Sequence, residues 1–422
     1  MKSDTAGTKR PETTEGGTLP WKQESVVPGI RRNVFLLGLV SLFNDISSEM
    51  LYPLVPIFLT AVLGTPIAIV GVIEGIAEST ASLLKTFSGW YSDRVRKRRF
   101  LVIAGYGLSA VSKPFLTIAQ SWGMVLGVRF ADRFGKGIRT SARDALIADS
   151  SDAGSMGRSF GFHRAMDTLG AVLGPLIALG ILALLGTEHI GDSLRMIFLL
   201  ASIPAIIGVL LLFLVREKPR EAFAQAMAPG LGLSQFGWEF KLFLFITLIF
   251  SLGNSSDVFL ILRAQDLGFS AMMIVLVYAF YNVFYSAISA PAGILSDRVG
   301  RRSVMAVGFL IFALVYFGFA LIGEALWVWP LFAIYGFYIA MTEGVGKAFA
   351  VDMVTPNKRG TALGMYHTAI GLMTFFASTI AGILWSLWGP PATFGLGGIT
   401  ALVAAGLLFL LPAKPRAQEE AA

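Results

Sequence analysis

The chain contains no cysteine, which excludes disulfides and thiolate metal sites. Charge is also scarce. Only 14% of the 422 residues are Asp, Glu, Lys or Arg, against 55% hydrophobic residues. A soluble chain of this length needs a charged surface, and this one has too little charge to build it. Two catalytic signatures are missing as well: His-Glu-x-x-His and a Gly-rich phosphate loop ending in Lys-Ser/Thr. Their absence argues against a zinc protease and an ATP-driven pump. No enzyme activity, cofactor or metal is expected.

What the chain does have is apolar runs of spanning length, roughly 20 residues each. Twelve can be drawn, near 33–62, 66–91, 100–119, 122–145, 160–185, 194–215, 241–264, 270–296, 302–323, 326–352, 361–387 and 391–412. The expected class is an all-α membrane protein with two six-helix halves, 31–215 and 241–412. A polar stretch, 216–240, reads as the linker between them. Residues 1–30 are polar and read as a disordered tail, and 413–422 as a second tail. Arg31-Arg32 before the first run superficially resembles a signal peptide. That run is too long, carries Asp45 and Glu49, and lacks a small-residue cleavage site.

The net charge of +7 does not point to nucleic acid, because Lys and Arg form no stripe. They gather in the tails and in the loops after spans 2, 4, 6, 8 and 10. The positive-inside rule then puts both termini in the cytoplasm of a plasma or bacterial inner membrane. The expected partners are the lipid bilayer, a small-molecule substrate and protons, and the protein is expected to work as a monomer.

One cytoplasmic signature occurs twice. Gly89-Trp-Tyr-Ser-Asp93-Arg94-Val-Arg-Lys97-Arg98 ends span 2, and Gly293-Ile-Leu-Ser-Asp297-Arg298-Val-Gly300-Arg301-Arg302 ends span 8 about 200 residues later. Ser41-Leu-Phe-Asn44 echoes Ser251-Leu-Gly-Asn254, and the stretch from Ala145 to Asp149 echoes that from Ala348 to Asp352. Duplicated halves of spanning helices mark secondary transporters.

The duplicated signature resembles the first signature of the major facilitator superfamily, although Arg96 replaces a glycine that the second copy keeps as Gly300. The resemblance covers roughly residues 30–412. It implies a twelve-helix transporter fold and a latch that closes the cytoplasmic side. In that latch Gly89 and Gly293 admit neighbouring helices, and Asp93 and Asp297 accept hydrogen bonds from arginines or helix N-termini. The plainer reading is a basic cluster that only sets topology. In span 5, Gly161, Gly170, Gly174 and Pro175 resemble the superfamily's antiporter signature, with Ala178-Leu179 in place of its closing glycines. An ordinary small-residue packing face is the alternative. Arg133-Phe-Gly-Lys136-Gly137 in span 4 resembles an exporter signature. The resemblance gives Arg133 a role in proton coupling; an ion pair with Asp132, Glu74 or Glu78 is the structural alternative.

Charged and polar residues inside spans mark pathways by default. Two carboxylates four residues apart on one face of an apolar span cannot both ionise cheaply. Asp45/Glu49 and Glu74/Glu78 are therefore the leading proton carriers, with Asp167 and Asp257 next. Glu343 and Lys347 have the spacing of a self-satisfying pair. Further cavity candidates are Asn44, Lys85, Lys113, Arg129, His163, Arg164, Asn254, Tyr278, Asn282, Tyr285 and His367. The expected function is alternating-access transport, as proton-coupled export of a small molecule. Proton-coupled uptake of a polar or anionic solute or a metal chelate is the alternative. A receptor or channel without coupling belongs to a different class, and duplicated latches argue against it because they serve a two-state motion.

Overall fold

The computed structural model describes residues 25–27, 30–94, 98–151, 155–217, 232–355 and 358–412. Most of the expected linker (218–231), both tails beyond those limits, and Lys97 lie outside the described residues.

The described residues form twelve membrane-length helical segments. They are α1 (Arg32–Leu51, resuming at Val55–Ile57 and Phe58–Val62), α2 (Ile67–Arg94), α3 (Arg98–Ser112 with a turn at Lys113–Leu116), α4 (Trp122–Ser150), α5 (Met156–Leu185) and α6 (Ile190–Leu200 with Ser202–Leu212). The second set is α7 (Trp238–Gly253 with Val258–Asp266), α8 (Ala271–Val299), α9 (Arg301–Leu321), α10 (Val328–Asp352), α11 (Arg359–Trp388) and α12 (Pro390–Leu408). Ten are long and apolar enough to cross a membrane by length and composition. Of the other two, α3 is short, and α4 carries more charge, including Arg129, Asp132, Arg133, Lys136, Arg139 and Arg143. The elements match the expected spans, with ends displaced by a few residues.

The tail differs from expectation at its end. Ser25–Val27 pairs with Ile30–Arg31 as a short antiparallel hairpin just before α1. The β-branched residues Val26, Val27 and Ile30 favour that pairing over disorder.

The two halves repeat each other in packing. In the first, α1 packs on α5 and α6, α4 on α2 and α3, and α3 on α6. In the second, α7 packs on α11 and α12, α10 on α8 and α9, and α9 on α12. Adding six to each helix number converts one set into the other. The halves meet along α2–α11 and α5–α8, two contacts that the same operation exchanges.

Glycines make the first interface close. A Cβ at Gly71 would sit 2.4 Å from the Ser378 carbonyl oxygen, and one at Gly75 would sit 2.9 Å from that of Phe375. Backbones can approach this closely only where side chains are absent, which in lipid is how helices gain dispersion contact. Gly300 (φ +98°) separates α8 from α9, and Gly389 (φ +79°) separates α11 from the Pro390-Pro391 start of α12. These are left-handed positions that favour glycine. The outer surface is apolar, with Leu184 88% exposed and Leu321 83%, as a lipid-facing surface requires.

Two spans read as continuous in the sequence are broken. In α7 the helix stops at Gly253 and restarts at Val258, leaving Asn254-Ser255-Ser256-Asp257 between. Ser, Asn and Asp compete with helical hydrogen bonds through their own side chains. In α1 the break falls at Tyr52–Leu54, beside Pro53, which has no N–H to donate. A π turn at Phe58–Val62 follows. By the repeated Ser-Leu-x-Asn string the α7 break begins at the counterpart of Asn44, about two turns before the break in α1.

Candidate functional site

A cavity of about 440 Å³ opens between the halves, a size typical of small-molecule sites. The α7 break borders it, whereas residues 52–54 of the α1 break do not line it. Its first-half wall carries Glu78 and Lys85 from α2 and Lys136 from α4. The second half supplies Asn254 and Asp257 from the α7 break, Glu343 and Lys347 from α10, and His367 from α11. Aromatic rings face them: Phe250, Tyr281, Tyr285, Phe309, Tyr338 and Tyr366. The rings are held by stacking, with Phe250 and Phe309 centroids 4.0 Å apart and Phe312 3.8 Å from Tyr316 behind them.

The cavity's three acids differ in how they are held. Glu78 meets Arg133 at 2.7 Å. Glu343 meets Lys347 at 3.2 Å, accepts a hydrogen bond from Tyr285 at 2.6 Å, and lies 3.8 Å from Arg164. Asp257 accepts a hydrogen bond from Tyr335 at 2.7 Å and has no ion-pair partner among the described residues. The Glu343–Lys347 spacing reading holds, with Tyr285 and Arg164 added; Arg164 also donates to Tyr285 from across the halves.

The like-charge reading of Glu74 and Glu78 does not hold. Glu74 is 1% exposed and takes a bidentate grip from Arg129, at 2.7 and 2.9 Å from one nitrogen and 3.1 Å from a second. Each glutamate therefore faces its own arginine on α4. Periodicity along α2 reports only α2's own side chains, and the neutralising groups stand on a neighbouring helix.

Several cavity candidates lie elsewhere. Lys113 is 1% exposed and donates to Ser47 at 2.8 Å and Ser48 at 3.0 Å. Together with Glu49, Tyr52, Arg129, Asp132 and Arg133 it lines a separate small pocket of about 20 Å³ inside the first half. Asp132 there accepts a hydrogen bond from Ser109. Asn44 donates to Asp45 at 3.2 Å within α1. His163 is buried beside Asp167 at 3.5 Å on α5. Asn282 is buried, and its amide nitrogen has no partner among the described residues. Tyr278 reaches across the halves to Glu49 at 2.8 Å and stacks on Tyr52. Of the expected face Tyr278, Asn282 and Tyr285, only Tyr285 lines the cavity.

The α5 glycines divide. A Cβ at Gly170 would stand 2.8 Å from that of Asp45, and one at Gly174 would stand 2.7 Å from the Ile46 carbonyl oxygen. These two glycines hold α5 against α1 next to both carboxylates. Gly161 has nothing within 4 Å, so it makes no such contact. The helix continues through Pro175.

At the two signatures the shortest ion pairs among the described residues run to acids other than Asp297. Arg98 pairs with Asp149 at 2.9 Å, and Arg301 pairs with Asp352 at 2.8 Å. Each bridge runs from the first residue of the third helix of a half to the end of the fourth. Asp297 is 3.6 Å from Arg301 with its side chain 69% exposed, so Asp352, 15% exposed, is the closer acceptor. Arg302 donates to the Leu411 carbonyl at 2.5 Å. Gly89 lies 3.5 Å from Ser141 by its Cβ position, while Gly293 faces open space. Arg298 lies at the end of α8. The side chains of Asp93 and Arg94 lie outside the described residues. Glu217 adds an unexpected contact: its carboxylate accepts the Arg98 and Arg99 backbone N–H groups at 2.6 and 3.1 Å, at the start of α3.

Sequence reasoning missed Lys136 as a cavity residue, although it stands inside the span-4 motif and shares a helical face with Arg133. It also passed over Phe250, Tyr281, Phe309, Tyr338 and Tyr366, which carry no charge to distinguish them from packing aromatics.

Two pseudo-symmetric six-helix halves around a polar cavity, with a broken helix in each half, define a secondary transporter. The Major Facilitator Superfamily model matches the chain over residues 37–261 and 242–422. An uncharacterized MFS-type transporter of Methanocaldococcus jannaschii is 38% identical over 387 residues, covering 90% of this chain and 95% of its own. The inner membrane transport protein YajR of Escherichia coli is 24% identical over 402 residues, 90% of this chain and 83% of its own. A POT family transporter solved in complex with a thioalcohol-conjugated peptide superposes with a TM-score of 0.76 at 13% identity, covering 90% of this chain and 96% of its own. The chain belongs to the major facilitator superfamily and is an integral, multi-pass membrane protein.

Proposed function

We propose that the chain is a proton-coupled exporter, with Asp257 as the proton carrier of the substrate cavity. The carrying observation is the state of the three cavity acids. Glu78 and Glu343 already hold cations, and Asp257 holds only the Tyr335 hydroxyl, at a helix break where the cavity is reached. An acid without a fixed counter-charge is free to exchange protons with whatever enters. Glu49, in hydrogen-bond contact with Tyr278 of the other half, is the second carrier to test. Export follows from the resemblance of the span-5 motif.

In this reading substrate and proton occupy the cavity alternately, and the halves rock about α2–α11 and α5–α8. Asp257→Asn is expected to abolish substrate movement driven by a pH gradient in reconstituted vesicles, while exchange down a substrate gradient continues. Uphill transport at the unmodified rate in that variant removes Asp257 from the role, and the same result with Glu49→Gln removes coupling through either group.

Both termini belong in the cytoplasm of the plasma or bacterial inner membrane, on the grounds of the Lys/Arg asymmetry. The natural absence of cysteine makes a clean test. A single cysteine at position 389 should react with an impermeant thiol reagent applied outside intact cells, and one at 222 only after lysis. The reverse pattern inverts the topology.

A further inference from the structure

We infer that the cavity takes an organic anion with an aromatic or apolar body, its negative group seated between Lys85 and Lys136. This names the substrate class of the transport site proposed above and rests on that reading.

The first ground is charge. Glu78 and Glu343 are already engaged by Arg133 and Lys347. Neither Lys85 nor Lys136 has an ion-pair or side-chain hydrogen-bond partner among the described residues, although both line the cavity. Lys136 and Lys347 repel Lys85, while Glu343 and Glu78 attract it from farther than ion-pair distance. Two ammonium groups on one cavity wall, neither in an ion pair of its own, repel each other. A bound anion offsets that repulsion; a cationic ligand adds to it.

The second ground is shape. Opposite the lysines, the second half presents Phe250, Tyr281, Phe309, Tyr338 and Tyr366. Phe250 is fixed by Phe309 at 4.0 Å and by Tyr338 at 5.9 Å. A rigid aromatic wall selects a flat, apolar body. The first half therefore offers the two lysines without ion pairs, and the second offers the aromatic wall for the body. One ligand touches both, which is what a substrate must do to report its presence to a rocking bundle.

The test uses the purified full-length protein in detergent, by calorimetric titration without a pH gradient. The probes are naphthalene-2-carboxylate and biphenyl-4-carboxylate, each set beside its amide and its aminomethyl analogue. At least one carboxylate should bind about tenfold or more tightly than its amide, with no binding of the ammonium forms. Lys85→Gln and Lys136→Gln should each weaken that binding about tenfold or more, the loss expected for one charge-assisted hydrogen bond. Lys85→Arg and Lys136→Arg should retain most of it, which separates lost charge from lost folding, and Lys241→Gln at the start of α7 should leave it unchanged. Preference for the neutral or ammonium members, indifference to both lysines, or no binding by any probe overturns the assignment. The readout involves no proton movement, so failure of coupling at Asp257 leaves it standing, and its own failure leaves that coupling open.

Discussion

Glu74→Gln is expected to lower stability by about 3–5 kcal/mol, the usual cost of removing one partner from a buried ion pair. Glu74 is 1% exposed and Arg129 6%, and three contacts of 2.7–3.1 Å join them. With glutamine at 74 the Arg129 guanidinium keeps its charge inside the first half with no carboxylate to meet it. Arg129→Met should do comparable damage by stranding the carboxylate. The double variant Glu74→Leu with Arg129→Met should recover most of the loss, because apolar groups of similar volume replace a buried pair at little cost. Melting of the detergent-solubilised protein reads all three. A double variant as unstable as the sum of the singles contradicts a purely structural pair. A stable Glu74→Gln protein that no longer moves substrate uphill would return Glu74 to the list of proton carriers.

That prediction reverses the sequence reading of the same residue, and the reason is physical. Spacing along one helix reveals which side chains share a face. It says nothing about what the adjacent helix places opposite. Glu74 and Glu78 look like a strained acidic pair until Arg129 and Arg133 arrive from α4. The same limit hid the partners of Lys113, which lies 66 residues from Ser47. It also hid the latch acceptors. The echo of Asp149 and Asp352 was visible as a repeated string, but only folding brings them to Arg98 and Arg301.

The fold was more legible than the site. Apolar length, loop charge and a duplicated signature each depend on local sequence, and a membrane leaves few alternatives to a helix bundle. The breaks in α1 and α7 were marked by Pro53 and by the run from Asn254 to Asp257, yet hydropathy passes smoothly through both. The aromatic wall was illegible for the opposite reason. With 33 phenylalanines and 10 tyrosines in the chain, composition cannot separate those facing a cavity from those filling a core.

The proposed transport requires the two halves to move against each other and expose the cavity alternately. Thr60 on α1 and Gln265 on α7 bring side-chain oxygens within 3.1 Å across the halves, on the face opposite the one where α1 begins and α12 ends. Cysteines at these two positions, on a background that has no other, can be joined by a short, cleavable thiol-to-thiol reagent. Cross-linking to completion is predicted to abolish substrate transport in vesicles, and reductive cleavage to restore it. Full turnover by the cross-linked protein would contradict alternating access between these halves.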